Sequence, residues 1–169
     1  MTKNCFLSVV MIGLFGSQTV LAQDLPDPVG PVLLTVTGDI SRTNGDGAAR
    51  FDIGMLREIG ETEVVTDTIW TAGEPVFAGV ELIDLLAFLG AEGREISATA
   101  INDYAIKIPV TDAVEGGPIV AYSMNGKQMS RRDKGPLWII YPYASSSNYR
   151  TEVIYARSIW QLDRMTVND

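Results

Sequence analysis

The side chains most able to do chemistry crowd into the last third of the chain. Between residues 131 and 160, Trp138, Tyr141, Tyr143, Tyr149, Tyr155 and Trp160 are interleaved with Arg131, Arg132, Lys134, Arg150 and Arg157. The run ASSSNYR, residues 144–150, adds Ser146 and Asn148 as small hydrogen-bond donors suited to an anion. Aromatic walls with a few convergent polar groups are what a small-ligand pocket requires. The rings would supply stacking area, and the basic groups would bind carboxylate, phosphate or sulfate. The candidate ligand-binding residues are therefore Arg131, Lys134, Trp138, Tyr141, Ser146, Asn148, Arg150 and Trp160, and the candidate ligand is a small anion. A second reading fits the same pattern: Trp138 and Tyr141 are core, and the basic residues face water.

Other chemistries are excluded by absent residue types. The chain has one cysteine, Cys5, and no histidine. Ser-His-Asp and Cys-His catalysis are therefore closed to it, and so are zinc, copper and haem sites built on their usual nitrogen and sulfur ligands. No metal-ligand set is expected. Asp103, Asp112 and Glu115 are the one group of acids that paired-carboxylate hydrolysis could draw on, but nothing in their spacing lifts them above surface charges. The glycines of Asn44–Gly47 (NGDG) fit neither a calcium loop nor a dinucleotide fingerprint. The calcium pattern needs ligands where Arg42 and Ile53 stand, and the fingerprint needs a glycine where Arg50 stands. The segment reads as a turn.

Residues 1–22 read as a cleavable export signal: Lys3 in front, an apolar core from Cys5 to Phe15, and Val20-Leu21-Ala22 before the cut. The apolar run is shorter than the about 20 residues of a membrane-spanning helix, so no membrane insertion is expected. Cys5 would leave with the signal, so the mature protein has no thiolate and no disulfide. The net charge of −8 becomes one unit more negative once Lys3 is removed. With no basic run, the domain has no electrostatic footprint for nucleic acid. A periplasmic destination follows by analogy of fold.

Residues 23–30 form a Pro-rich lead-in, and residues 31–169 form one domain. Strands are predicted at Val32–Val36, Glu63–Trp70, Ile96–Ile101, Tyr104–Val110, Ile119–Met124, Lys127 onward and Leu137–Tyr141, with a last strand or two in Val153–Met165. Asn125-Gly126 is the strongest hairpin signal. Two short helices are predicted. One covers Phe51–Ile59, capped by Asp52; the other lies in Phe77–Gly90, with Leu82, Leu85, Leu86 and Leu89 on one stripe. The fold class is α+β, a mixed β-sheet with few short helices.

Four segments in order carry a family resemblance: TVTGDI, FAGVELIDLLAFLG, YSMNGKQMSRRDKGPLWIIYP and SIWQLDRMTV. Together they resemble the oxidoreductase molybdopterin-binding domain, the fold of the sulfite oxidase catalytic core, over residues 31–167. Phe77, Gly79, Val80, Leu82, Asp84, Leu85 and Leu86 fit the family's middle motif. Asn125, Gly126, Gly135, Pro136, Leu137 and Pro142 fit its later one, with one residue missing between glycine and proline.

The departures fall on the positions that the resemblance makes functional. It implies a molybdenum-ligating cysteine on the strand before the middle motif, where Thr66, Asp67 or Thr68 stands. It implies an arginine where Trp138 stands and a basic residue where Trp160 stands, with Arg157 nearby. The family's histidines have no counterpart. Oxygen donors from Asp or Thr are a harder, weaker substitute for a thiolate. The expectation is a degenerate active site without cofactor: a module that binds a small anionic ligand or an envelope protein partner. The alternative is a molybdopterin-dependent oxidoreductase that retains its cofactor without a cysteine ligand.

Overall fold

A computed structural model describes residues 25–169 of the chain, so the predicted export signal, residues 1–22, and Cys5 lie outside the described residues. The described residues build ten strands and three short α-helices. In order these are β1 (Leu34–Gly38), β2 (Ala49–Phe51), α1 (Ile53–Ile59), β3 (Thr62–Val65), β4 (Val76–Glu81), α2 (Leu82–Leu89), β5 (Glu95–Ala100), β6 (Ala105–Pro109), β7 (Ile119–Met124), β8 (Lys127–Gln128), β9 (Leu137–Ile140), α3 (Glu152–Arg157) and β10 (Trp160–Asn168). They form one curled mixed sheet with a main path β2-β1-β10-β9-β7-β4-β3. Strand β5 joins through β10, β6 through β5, and β8 through β7. The β1–β10 pair is parallel and the other pairings are antiparallel. This is the α+β architecture expected from the pattern of strands and turns.

Local chemistry explains the elements that hold the frame. The Asp52 carboxylate accepts from the Met55 N–H at the start of α1, and also from Val29 and Gly30 of the lead-in. These donors, Met55 foremost, hold the Asp52 carboxyl below its usual pKa. The lead-in is thus tied to the helix start, and Leu25 is buried in the core. In α2 the leucines 82, 85, 86 and 89 are all buried, and Gly90 takes the left-handed conformation that ends the helix. Gly79 is required by close packing: a Cβ there would collide with the Val120 carbonyl of β7. All four residues of β9 are buried, as a continuous apolar run predicts.

Three expectations are corrected. The segment predicted as one long strand, Glu63–Trp70, ends at Val65, because Thr66 turns inward and its hydroxyl accepts from the Ala144 N–H. The leucine-rich segment Phe77–Gly90 is half strand: Phe77–Glu81 belong to β4, where Phe77 and Val80 are fully buried, and the helix starts only at Leu82. The predicted strand at Val153 is the helix α3. The β-branched Val153 and Ile154 are overridden by Thr151, whose hydroxyl caps the Ile154 N–H, and by Arg157 in the last turn. The described residues therefore form three α-helices rather than two.

Strand β10 positions the site. Trp160 pairs with Trp138 and Leu162 with Leu137, so β10 carries one extra residue, Gln161, at this point. Gln161 has φ 53°, the left-handed region. A bulge of this kind bends a strand and re-aims its side chains. Here it places Trp160 directly across from Trp138.

Candidate functional site

Trp70, carried on the loop between β3 and β4, is the hub of an aromatic cluster. Its ring lies 5.7 Å from Trp138, 6.4 Å from Tyr143, 5.7 Å from Tyr155 and 5.6 Å from Trp160, each in an edge-on arrangement. Trp138 also meets Phe77 at 5.5 Å and Trp160 at 6.2 Å, both nearly perpendicular. Such contacts add stabilisation beyond the area they bury. The cluster joins β4, β9, β10, α3 and the Trp70 loop into one packed body.

Ser158, just after α3, anchors the cluster. The Trp138 indole N–H donates to the Ser158 carbonyl at 3.0 Å, and the Tyr143 hydroxyl donates to Ser158 Oγ at 2.5 Å. Ser158 Oγ in turn donates to the Ile154 carbonyl. Tyr141 donates to Asp112 Oδ2 at 2.7 Å, and Arg157 Nη1 holds both oxygens of the same carboxylate, at 3.2 and 2.9 Å. Burial, then the hydrogen bond to the Asp112 carboxylate, pushes the Tyr141 phenol well above its ordinary pKa. Burial also raises the Tyr143 phenol, to about 12.

The predicted binding residues do not converge on one point. Trp138 and Tyr141 are 0% exposed and have no face on which a ligand could stack. Arg150 donates to the Tyr143 carbonyl and pairs with Asp67 at 3.3 Å. Ser146 accepts from the Asn148 N–H within its own 3-10 turn, and Asn148 is exposed. Arg131 is exposed on the turn before β9, where its carbonyl accepts from Gln161 Nε2. Lys134 Nζ lies 4.0 Å from the Trp160 ring centre and 5.7 Å from that of Trp138. Of the eight, Lys134, Trp138 and Trp160 meet; Arg150 is held elsewhere by Asp67. The acids Asp103 and Asp112 are likewise separate, paired with Arg164 and Arg157.

An open cavity with a volume of about 360 Å³ lies beside the cluster. Trp70, Tyr104, Tyr155 and Trp160 line it, together with Asn102, Ser158 and Gln161. No charged side chain lines it. Apart from Trp160 and Tyr155, these residues are not distinctive in the sequence. Trp70 reads as the end of a strand, and Asn102 and Tyr104 as a turn and its exit. The cavity arises because β5, β6, α3 and the Trp70 loop meet, although they are far apart along the chain.

The Thr66–Thr68 segment has only oxygen donors to offer a metal cofactor. Thr66 is fully buried; its hydroxyl accepts from Ala144 N–H at 2.9 Å and donates to the Asp67 carbonyl. Thr68 Oγ1 lies 2.8 Å from Thr71 Oγ1 and accepts from the Trp70 N–H. Asp67 faces Arg150. These are hard oxygen donors already engaged by the protein. Among the described residues, no group of three or more His, Cys, Asp or Glu side chains could hold a metal ion. The donors do not fit a soft-ligand metal centre.

Comparison with known proteins agrees with the architecture. The model of the oxidoreductase molybdopterin binding domain matches residues 54–149, more than half of the chain. The crystal structure of the sulfane dehydrogenase SoxCD from Paracoccus pantotrophus superimposes with a TM-score of 0.61 at 15% identity. The match covers 82% of this chain and 38% of that one, so the chain spans well under half the length of that relative. No curated protein matches the sequence.

Proposed function

The chain belongs to the oxidoreductase molybdopterin binding domain family, and from that premise we propose that it is a non-catalytic member: a binding module that holds no molybdenum. The observation that carries this reading is the packing of Trp70 and Trp138. The resemblance places a ligating thiolate at Thr66–Thr68 and a site-lining arginine at position 138. Here the first position offers hydroxyls and a carboxylate committed to Ala144, Thr71 and Arg150. The second is a fully buried indole packed against Phe77, Trp70 and Trp160. A hard oxygen donor is a poor replacement for sulfur at a molybdenum centre, and a buried tryptophan fills volume that a cofactor needs.

On this reading the domain acts by recognising a small ligand or an envelope protein partner, and the aromatic cavity is where recognition occurs. The leader ending at Val20-Leu21-Ala22 supports export to the periplasm. Among the described residues no helix is long and apolar enough to cross a membrane.

The test is elemental and pterin analysis of the full chain expressed with its leader in molybdenum-replete cells. The expected result is less than about a tenth of a molybdenum atom per chain, with no pterin fluorescence after denaturation, as follows from the missing soft ligand. Near-stoichiometric molybdenum would instead make the protein a cofactor-bearing oxidoreductase without a cysteine ligand.

A further inference from the structure

We infer that the Trp70–Tyr155–Trp160 cavity binds a neutral, polyhydroxylated ring, of the saccharide class. This rests on the binding-module reading and names the ligand chemistry of that site.

Charge decides the first part. No ionised side chain lines the cavity, so neither an anion nor a cation would find a counter-charge there. The Lys134 ammonium, which is not part of the lining, already sits 4.0 Å over Trp160 and disfavours a second cation on that ring. A neutral ligand suits the site best.

Wall geometry decides the second part. Trp70 meets Trp160 at 77° and Tyr155 at 86°, so the aromatic surfaces form a corner rather than a parallel slot. A flat aromatic ligand gains most between parallel faces. A saturated ring can lay its C–H face on one wall and turn its hydroxyl edge toward the other.

The free polar groups decide the third part. Tyr122, Tyr141 and Tyr143 donate their hydroxyls to Glu61, Asp112 and Ser158. Among the described residues, the hydroxyls of Tyr104 and Tyr155 have no such protein partner, although both line the cavity. Asn102 accepts from the Tyr104 N–H through Oδ1, which leaves its amide N–H groups available. Gln161 is the converse: its Nε2 is held by the Arg131 and Asp133 carbonyls, which leaves Oε1 as an acceptor. Donors and an acceptor thus ring a neutral aromatic corner, and a sugar hydroxyl both donates and accepts. Gln161 also sits at the bulge with its positive φ, and backbone strain of this kind concentrates at ligand sites. The volume of about 360 Å³ lies at the small end of small-molecule pockets, roughly 300–1,000 Å³.

The full chain, with its indole nitrogens isotopically labelled, is titrated with maltose, N,N′-diacetylchitobiose and methyl glucoside. Menadione, choline and sulfate serve as a flat aromatic, a cation and an anion. At least one saccharide is expected to shift the indole N–H resonances of Trp70 and Trp160 saturably, while that of Trp138, bonded to Ser158, stays in place. Tyr104→Ala, at an exposed wall, weakens the binding about tenfold, equivalent to about 1.4 kcal/mol. Asn102→Ala weakens it severalfold while leaving the Trp138 resonance unmoved, which separates lost binding from lost folding. Absence of saturable shifts with every saccharide up to roughly 10 mM, or tighter binding of menadione, choline or sulfate, overturns the inference. A preparation that is free of molybdenum but blind to sugars removes this inference alone; molybdenum in the preparation removes the reading beneath it.

Discussion

Tyr141, Tyr143 and Tyr155 are successive neighbours in one aromatic cluster, with ring centres 6.5 and 5.5 Å apart, yet they serve different ends. Tyr141 and Tyr143 are buried and give their hydroxyls to Asp112 and Ser158. Tyr155 is half-buried, lines the cavity and gives its hydroxyl to no described protein group. The same division separates Trp138, with its N–H on the Ser158 carbonyl, from Trp160 at the cavity wall. Aromatic richness alone does not mark a site. What distinguishes the two sides is whether the polar atom on each ring is already satisfied within the protein.

The comparison is broken most severely at the tryptophans. Trp138→Ala should cost about 3–5 kcal/mol, the usual range for truncating a fully buried large aromatic residue. Trp160→Ala, at the wall, should cost under about 2 kcal/mol. Urea unfolding of both variants checks this, and equal losses would mean that the wall is as structural as the core. The tyrosines give the next largest contrast. Tyr141→Phe removes a hydrogen bond to a carboxylate and should cost about 1.5–3 kcal/mol, whereas Tyr155→Phe should change stability by less than about 0.5 kcal/mol.

A further effect appears only in alkali. The Tyr143 phenol is raised to about 12 mainly by burial, and Tyr122 is raised to about 12 by burial and its bond to Glu61. Because the folded values lie above the ordinary value of 10.0, the stability linked to these groups is complete below pH 10. It is lost as the pH rises from 10 toward 12. Urea midpoints should therefore fall across that window. Tyr143→Phe should flatten the decline, and the phenolate absorbance of Tyr143 should emerge with unfolding rather than before it.

Much of the frame was legible in the sequence because it is local. Asn125-Gly126 fixes a hairpin, Asp52 and Gly60 bound α1, and the alternation in Ile96–Ile101 makes a strand wherever the chain runs. The misread elements are those decided by distant partners. Thr66 leaves the sheet because Ala144 offers it an N–H across the fold. Phe77 and Val80 are strand residues because β7 pairs with them. The site was half legible for the same reason. Trp160 and Tyr155 stand in an obvious aromatic run, but Trp70, Asn102 and Tyr104 reach them only through the sheet. Arg150 and Ser146 looked equally available in the sequence until Asp67 and the 3-10 turn claimed them.

Strand β10 sets an order of assembly. It pairs with β1, β5 and β9, and its parallel register with β1 joins Thr35 to Arg164. Pairings so distant in sequence form late, after the loop between them has been closed at an entropic cost. The hairpins β5–β6 and β7–β8 can form early, but a nascent chain lacking residues 160–168 has neither the central strand nor Trp160. Any amino-terminal fragment released before that point would leave the edges of β1, β5 and β9 that pair with β10 uncovered, which makes premature termination an aggregation hazard rather than a source of a smaller folded domain.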